Sequence, residues 1–461
     1  MKKRRALVLG IAAASVLAGC SVGPDYQRPD FEAPKTWNSA KNSDEWPGLT
    51  WWRDFHAEEL DRLMKAAYER NYDLAIAVAR LKQANAQALI AGAPLLPQVD
   101  AGTQAERLRQ PPTTPSGTKQ FSASLSASYE LDFWGQLHDQ ADAARLTAAA
   151  SAFDRETAEL TLQSSVANSY FSLLSLNERL DLAENNLKAS EDVLDAYQAR
   201  LEVGAASALD VAQQENVVAT QRATLPPLIE QQRQARDALS VLVGLLPEDQ
   251  VGPAGALDQV KLPGVASGLP SGLLQRRPDV QSAEAKLQAA NQTVKAATAA
   301  LFPSITLTAQ GGSASSSLSD LFKPAGVFYS LIAGASQPIF HGGALEGGQD
   351  LAAGQYEEQL ATYRKAVVSA FADVEDALAA LEQEGRREEA DKVVVSTAQR
   401  AYDIAQAQLY NGTIDILTVL NTQRSLFQAQ DELAQARLGH AQAVVGLFRA
   451  LGGGWQGAEE G

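Results

Sequence analysis

The sequence predicts a mainly helical protein with membrane β-strands: four strands per chain, in a barrel that three chains close together. One observation is a strictly alternating segment, FSASLSASYELD at 121–132, which has the pattern of a strand with one apolar and one polar face. Another is the length of the surrounding segments, which are rich in Ala, Gln, Leu and Glu and typical of helices. A strand pair isolated among such helices needs partner strands from elsewhere.

We expect residues 1–19 to form an export signal, which is followed by Cys20, the only cysteine of the 461 residues. A basic stretch precedes the apolar residues 6–18, which are too few to span ~30 Å of hydrocarbon as a helix. The leader ends in LAGC at 17–20, which resembles a lipobox, where a bacterial lipoprotein signal is cut and the cysteine receives a diacylglycerol and an N-acyl chain. Because of this lipobox we expect lipidation at Cys20; an ordinary signal peptide with an incidental cysteine is the alternative. Relatives retained in the inner membrane usually carry Asp where Ser21 stands, so the resemblance implies the outer membrane.

Charge and residue usage exclude several classes of function. The chain has 55 acidic and 39 basic residues, a net charge of −16, so it repels nucleic acid phosphates and no nucleic acid partner is expected. The four histidines have no spacing suited to metal binding, and neither a nucleophile elbow nor a phosphate loop is present. We therefore predict that the protein is not an enzyme and uses no cofactor, with no catalytic and no metal-binding residues.

The chain contains two similar halves. Residues 73–101 align without gaps on 279–307, at an offset of 206 residues. Further on, LEVGAASALDV at 201–211 matches LYNGTIDILTV at 409–419, at an offset of 208. A nearly constant offset over this distance predicts an internal two-fold repeat, so both halves should have the same order of elements.

Each half is predicted to contain a helix, a strand pair, a long helix, a tight turn and a returning helix. The first helix is expected at about 73–94 and 279–301, and a proline ends each copy. β-Hairpins are expected directly after these prolines, at 97–132 and 303–338.

Two tight turns are expected to end the long helices. Gly204 and Gly412 are placed to end them, and Ser207 and Asp415 are placed to cap the helices that follow. Leucines recur every seven residues along the first long helix, which predicts packing against other helices along one stripe. A plain two-stranded coiled coil has the same spacing and remains an alternative. The returning helix of the first half is expected to kink or restart at the Pro226-Pro227 pair.

These boundaries give a predicted organisation for the whole chain. It consists of a signal peptide at 1–19, a lipidated extended segment with a short helix at 20–72, a first repeat at 73–247 with its tip at 204, a Pro/Gly-rich connector at 248–277, a second repeat at 278–455 with its tip at 412, and a C-terminal tail at 456–461.

The strands determine the predicted oligomer. Isolated hairpins with one apolar face are unstable, and their lengths match the ~9 to 11 residues needed to cross a bilayer at a tilt. Only a closed barrel satisfies every strand edge in hydrocarbon, and four strands are too few, so three chains are expected to form it. A soluble sheet covered by helices is the alternative. The residues of the opening strand expected to face lipid are Phe121, Leu125, Tyr129 and Leu131.

Several segments resemble the outer membrane factors of the TolC and NodT type. The resemblance implies a trimeric lipoprotein channel in the outer membrane of a Gram-negative cell envelope, with a β-barrel continued by a long periplasmic α-helical barrel. The segments that carry it include CSVGPDYQRP at 20–29, WWRDFHAEELDRL at 51–63, YELDFWGQL at 129–137, RRPDVQSAEAKLQAANQ at 276–292 and LFRALGGGW at 447–455.

The resemblance also implies function and partners. Members dock onto a periplasmic adaptor (membrane fusion) protein and an inner-membrane pump of the resistance-nodulation-division type. The implied function is the outer membrane channel of a tripartite efflux system that exports small molecules, with a homotrimer and outer membrane lipid as further partners. The exit channel of a type I protein secretion system is one alternative, and a non-porous structural coiled-coil lipoprotein is another.

A pore constriction at the periplasmic tips is implied as well. Asn421 stands where relatives often hold Asp, and Leu409 stands where a Tyr can occur, so the salt bridges of relatives are not carried over. The tip residues named by the resemblance are Gly204, Asp210, Gly412, Asp415, Thr418, Asn421, Gln423 and Arg424.

Overall fold

A computed structural model describes residues 22–31, 34–38, 45–108, 118–249, 252–268 and 270–455. The predicted signal peptide, the lipidation site Cys20 and the predicted C-terminal tail lie outside these residues. The described chain is mainly helical and contains a four-stranded antiparallel sheet. Over the residues covered, no helix is both long enough and apolar enough to cross a bilayer.

Two pairs of strands separate three groups of helices along the described chain. The helices α3 and α7 contain 67 residues each, and α4 and α8 contain 35 residues each. The helices are α1 (Glu58–Arg70), α2 (Tyr72–Gly92), α3 (Gln136–Glu202), α4 (Ala208–Leu242), α5 (Pro270–Arg276), α6 (Pro278–Ala299), α7 (Ala344–Tyr410) and α8 (Ile416–Ala450), and the strands are β1 (Gln98–Leu108), β2 (Thr118–Leu131), β3 (Ser304–Ser315) and β4 (Val327–Ser336).

The sheet has the order β1-β2-β3-β4, and each neighbouring pair is antiparallel. Leu125 in β2 pairs with Ala101 in β1 and with Gly311 in β3, and Tyr129 pairs with Leu307. Directly paired residues project from the same side of a sheet, so the odd-numbered residues of all four strands share one face. We call this the odd face. It collects the apolar positions of β2, whereas the serines of β2 lie on the opposite face.

The chain divides into two compact units. The sheet unit contains the described residues up to Asp30 together with Ala79–Phe153 and Ser282–Lys365. The helical unit contains Phe31–Val78, Asp154–Gln281 and the residues from Ala366 onward. All four strands therefore belong to the sheet unit, and both turns between long helices belong to the helical unit.

The helical unit has an apolar core centred on aromatic rings. Trp51 stacks on Phe448 with 4.8 Å between ring centroids, and Phe55 lies 4.9 Å from Phe171. The indole Nε1 of Trp51 donates a hydrogen bond of 2.9 Å to Oε1 of Gln163, which satisfies its buried polar group. A segment that precedes α1 therefore supplies the centre of a core whose walls are α3 and α8.

Ion pairs connect α3 with α8 in the same unit. Arg179 donates to the carboxylate of Asp431 at 2.6 Å, and the next residue toward the N-terminus, Glu178, accepts from Arg437. Burial raises the pKa of the Glu178 carboxyl, and the guanidinium of Arg437 opposes that shift. Two charge pairs at consecutive positions fix the register between these two helices, because a slide of either helix would leave partly buried charges unpaired.

Helix α4 runs through Pro226 and Pro227, so of the predicted kink or restart the restart is wrong, and the kink stays a prediction. A proline in a helix interior removes one amide donor and crowds the preceding turn, which costs about 3 kcal/mol. The neighbouring Leu228 is buried against Leu176 and Ala183 of α3. Packing of this face on α3 supports the helix across the missing hydrogen bonds.

Candidate functional site

Two tight turns in the helical unit join the long helices. Gly204 has φ of +73° and Gly412 has φ of +70°, in the left-handed region that favours glycine. The N–H of Ala205 donates to the carbonyl of Arg200 at 2.7 Å, and the N–H of Thr413 donates to Gln408 at 3.0 Å. These bonds belong to the Schellman type of helix end. No described atom lies within 4 Å of the position a Cβ would occupy at either glycine, so glycine is used here for backbone conformation.

The helices that follow the turns are capped by different side chains. Ser207 and Asp210 form a capping box on α4: the Asp210 N–H donates to Ser207 Oγ at 3.2 Å, and the Ser207 N–H donates to the Asp210 carboxylate at 2.8 Å. Asp415 caps α8, where its Oδ1 accepts from the N–H of Thr418 at 3.1 Å and from its hydroxyl at 2.8 Å. These hydrogen bonds from Thr418 lower the pKa of Asp415. Two predicted tip residues, Asp210 and Asp415, therefore act in local caps, and a third, Thr418, donates to one of them.

The two turns lie side by side. Tyr197 in α3 and Val211 in α4 form one apolar cluster with Ile416 and Leu420 of α8, and Leu409 packs against it. The structure thus brings together the two regions that the sequence predicts as tips. The contact is apolar and supports the turns in their relative positions.

The remaining predicted tip residues on α8 differ in exposure. Gln423 is only 1% exposed, and its Nε2 donates to the hydroxyl of Tyr402 at 3.4 Å. Its Oε1 has no hydrogen-bond partner among the described atoms. Asn421 and Arg424 are exposed, as is Thr418. Gln423 therefore belongs to the packing of α7 on α8, whereas the exposed residues are available to other molecules.

A groove of about 510 Å³ lies among α3, α4 and α8 in the helical unit. Its lining includes the ion pair of Arg179 with Asp431, the predicted tip residue Arg424, and apolar surface from Pro227 and Leu228. The lining therefore combines apolar surface with charged groups. Sequence reasoning missed the groove because its walls come from three helices far apart in the chain. Elsewhere too, no three His, Cys, Asp or Glu side chains within the described ranges gather so as to hold a metal ion.

The strand residues predicted to face lipid lie on the odd face of the sheet unit. Phe121, Leu125, Tyr129 and Leu131 share that face, and Leu125 is 60% exposed. β4 adds exposed apolar side chains to it, including Tyr329 and Leu331. An exposed apolar surface of this kind is suited to lipid, and the lipid contact itself stays a prediction.

The opposite face of the sheet is less uniformly polar than the sequence of β2 suggests. In β2 it carries serines, but in β4 it carries Phe328 and Ile332. Gly312, paired with Ser124, also lies on this face. A Cβ there would come within 2.3 Å of the carbonyl oxygen of Ala123, so only glycine fits at this point of the β2–β3 pair.

Comparisons with known sequences agree with these features. The sequence profile described as outer membrane efflux protein matches residues 63–245 and 269–453. The pyoverdine export outer membrane protein OpmQ of Pseudomonas aeruginosa is 42% identical over 465 residues, which cover 98% of this chain and 97% of the relative. The toluene efflux pump outer membrane protein TtgF of Pseudomonas putida is 36% identical over 465 residues, covering 97% of this chain and 96% of the relative.

Solved structures with a similar fold are also outer-membrane channels. The outer-membrane channel OprN superposes with a TM-score of 0.89 at 26% identity, covering 95% of this chain and 100% of that chain. The MtrE outer membrane channel of Neisseria gonorrhoeae, in its open state, gives a TM-score of 0.87 at 30% identity, with the same coverage. The chain therefore belongs to the outer membrane efflux protein family.

Proposed function

We propose that three copies of this outer membrane efflux protein form one channel, the exit duct of a tripartite efflux system. The observation that carries the proposal is the open sheet, in which β1 and β4 are edge strands and the odd face carries exposed apolar side chains such as Leu125 and Leu331. Unpaired strand edges are not tolerated in hydrocarbon, and three such sheets joined edge to edge would close a barrel of twelve strands. Each chain then contributes one third of the barrel.

The duplicated organisation supports the same assembly. The two long helices have equal lengths, as do the two returning helices, and both turns use a glycine in the left-handed region. We infer that the two halves are copies of one unit. Three chains would then present six similar helical turns around the channel axis.

We further propose that the turns contact a periplasmic adaptor protein and, through it, an inner-membrane pump of the resistance-nodulation-division type. Asn421 and Arg424 support this assignment because they are exposed beside the turn, and Arg424 also lines the groove. Relatives at 36% identity are named as outer membrane proteins of efflux pumps. The proposed lipid anchor at Cys20 would hold the chain to the outer membrane while the turns reach their partner.

The class of cargo can be narrowed by the relatives. Those at 40 and 42% identity are named for pyoverdine export. A secreted siderophore is therefore the first small molecule to test. Other relatives are named for toluene efflux and cation efflux, so solvents and metal cations are the next classes.

The assembly is tested on full-length protein extracted from outer membranes in mild detergent. Light scattering is expected to give the mass of three chains, and planar bilayers containing the protein are expected to show single-channel conductance. A monomer without conductance would contradict the proposal and favour a structural lipoprotein. In a strain that lacks the gene, the exported siderophore should accumulate in the cell; unchanged siderophore export with reduced protein secretion would favour a type I secretion channel.

A further inference from the structure

The first described residues are attached to one end of the sheet. The N–H of Val22 donates to the carbonyl of Trp134 at 3.3 Å, three residues after β2 ends at Leu131. The Trp134 ring stacks on Phe302 with 4.9 Å between centroids, and its Nε1 donates to the carbonyl of Pro303 at 2.8 Å. Pro303 directly precedes β3. Val22 is therefore fixed at the end of the sheet where β2 finishes and β3 starts.

Ion pairs hold the next residues along α6. Asp25 contacts the Nζ of buried Lys295 at 3.1 Å, and Arg28 donates to Glu284 at 2.7 Å. The N-terminal segment is thus held at several points rather than by one contact. Cys20 lies two residues before Val22, so its Cα is within about 8 Å of the Val22 Cα, whatever the conformation between them.

An apolar groove of about 390 Å³ lies on the sheet near the same end. Most of its lining comes from two neighbouring rows of cross-strand partners on the odd face, where large side chains alternate with alanines. Ser128, Thr308 and Ile332, from the row between these two, also line it. Pro97, which directly precedes β1, also lines it. The lining residues from the two rows are Tyr129, Leu307, Leu331, Ala127, Ala309 and Ala333.

The distance over which the groove extends along the strands matches the length of an acyl chain that enters from the end of the sheet near Val22. Tyr129 and Ala127 lie two and four residues inside the end of β2, or about 7 and 14 Å at ~3.4 Å per residue. An acyl chain in one leaflet extends about 15 Å, half of a ~30 Å hydrocarbon core. A chain attached at Cys20 would therefore span both rows of the groove.

We propose that an acyl chain attached to Cys20 lies in this groove, so that the lipid anchor is packed on the sheet of its own chain. This inference rests on the proposed acylation of Cys20 and on the odd face as the lipid-facing side. The tether at Val22, the apolar lining and the matching depth all favour the chain's own anchor as the occupant. A phospholipid of the surrounding membrane offers the same chemistry and is distinguished by the test.

The test uses photo-crosslinking from inside the groove. Tyr129 is replaced by p-benzoylphenylalanine in the full-length lipoprotein, a change that keeps an aromatic ring at this position. Tyr329 gives a matched control, because it is a tyrosine on the same face, 84% exposed and outside the groove lining. After irradiation in cells fed an alkyne-bearing fatty acid, mass spectrometry measures the cross-link between each site and the N-terminal lipopeptide. We expect several-fold more of this cross-link from position 129 than from position 329.

A second arm separates the two sources of acyl chain. With Cys20→Ala exported behind a non-lipoprotein signal peptide, the cross-link from position 129 should pass to phospholipid. The inference is overturned if position 129 captures only phospholipid while Cys20 is acylated, or if positions 129 and 329 capture the lipopeptide equally. Trimer mass and conductance are measured on the same preparations. If the cross-link is lost while the trimer mass and the conductance are unchanged, the anchor site is refuted and the proposed channel still stands.

Discussion

The helical unit buries many of its apolar side chains, whereas the sheet unit leaves many of its own exposed. In the helical unit Phe171 is fully buried, in contact with Phe55, within a core that the same chain completes. In the sheet unit the apolar side chains of the odd face remain exposed, as Leu125 and Leu331 illustrate. Helices satisfy their backbone hydrogen bonds internally and need only bury a stripe, whereas strands also need partners at their edges. The helical unit therefore completes an apolar core within one chain, whereas the sheet unit leaves strand edges unpaired and apolar side chains exposed.

The strongest test of this contrast removes a ring from the completed core. Phe171→Ala should lower the free energy of unfolding by about 3 to 5 kcal/mol, because it removes buried surface and leaves a cavity beside Phe55. Thermal unfolding followed by circular dichroism in detergent measures the loss. Phe322→Ala is the matched control, since Phe322 is 84% exposed and its truncation should change stability by less than about 0.5 kcal/mol. Equal losses for both variants would mean that the core does not carry the stability of the helical unit.

A second test places a charge on each face of the sheet in turn. Leu125→Arg should block membrane assembly, because an arginine on the lipid face near mid-bilayer costs about 2 to 4 kcal/mol. Ser124→Arg, one residue away on the opposite face, should leave trimers intact. Trimer content of the outer membrane fraction, measured by gel mobility before and after heating, is the readout. The same outcome for both variants would refute the assignment of the odd face to lipid.

The smallest expected effect concerns the second helical turn. Hydrogen bonds from Thr418 lower the pKa of Asp415, so the folded turn prefers the ionised carboxylate. The stabilisation by this cap is thus fully present above the ordinary pKa of Asp, about 4, and is lost as the pH falls through the lowered pKa. Asp415→Ala should lower the protection factors of amides at the start of α8 in hydrogen exchange at neutral pH, and acidification should then lower these protection factors little further.

Asp415→Asn separates the hydrogen bond from the charge. An asparagine side chain can still accept from the N–H of Thr418, so exchange at neutral pH should stay close to that of the unchanged protein. The loss of protection with acid should disappear. Protection factors that fall with acid equally in the unchanged protein and in Asp415→Asn would show that another group controls the turn.

Short-range patterns in the sequence were sufficient to predict a strand and the two glycine turns. Alternation of apolar and polar residues at 121–132 marks most of the residues that form β2, because side chains of a strand point to opposite faces in turn. Gly204 and Gly412 mark the helix ends, because few other residues tolerate positive φ. Both signals act within a few residues, so neither needs knowledge of the rest of the fold.

Features that depend on distant residues could not be predicted. The continuation of α4 through Pro226 and Pro227 depends on packing against α3, which local propensity does not include. The odd face of β3 and β4 became continuous with that of β2 only through the register between Leu125 and Gly311. The groove beside Arg424 is likewise built by helices remote in sequence.

The sequence by itself determined where the two glycine turns lie and that one face of β2 is apolar, since these follow from short-range sterics and the period of the side chains. Only the tertiary structure decided how strands of the two halves pair, that Trp51 lies at the centre of the helical core, and that Gln423 is buried while Arg424 is exposed. The reason is physical: pairing and burial are properties of two surfaces in contact, and a sequence pattern describes only one of them.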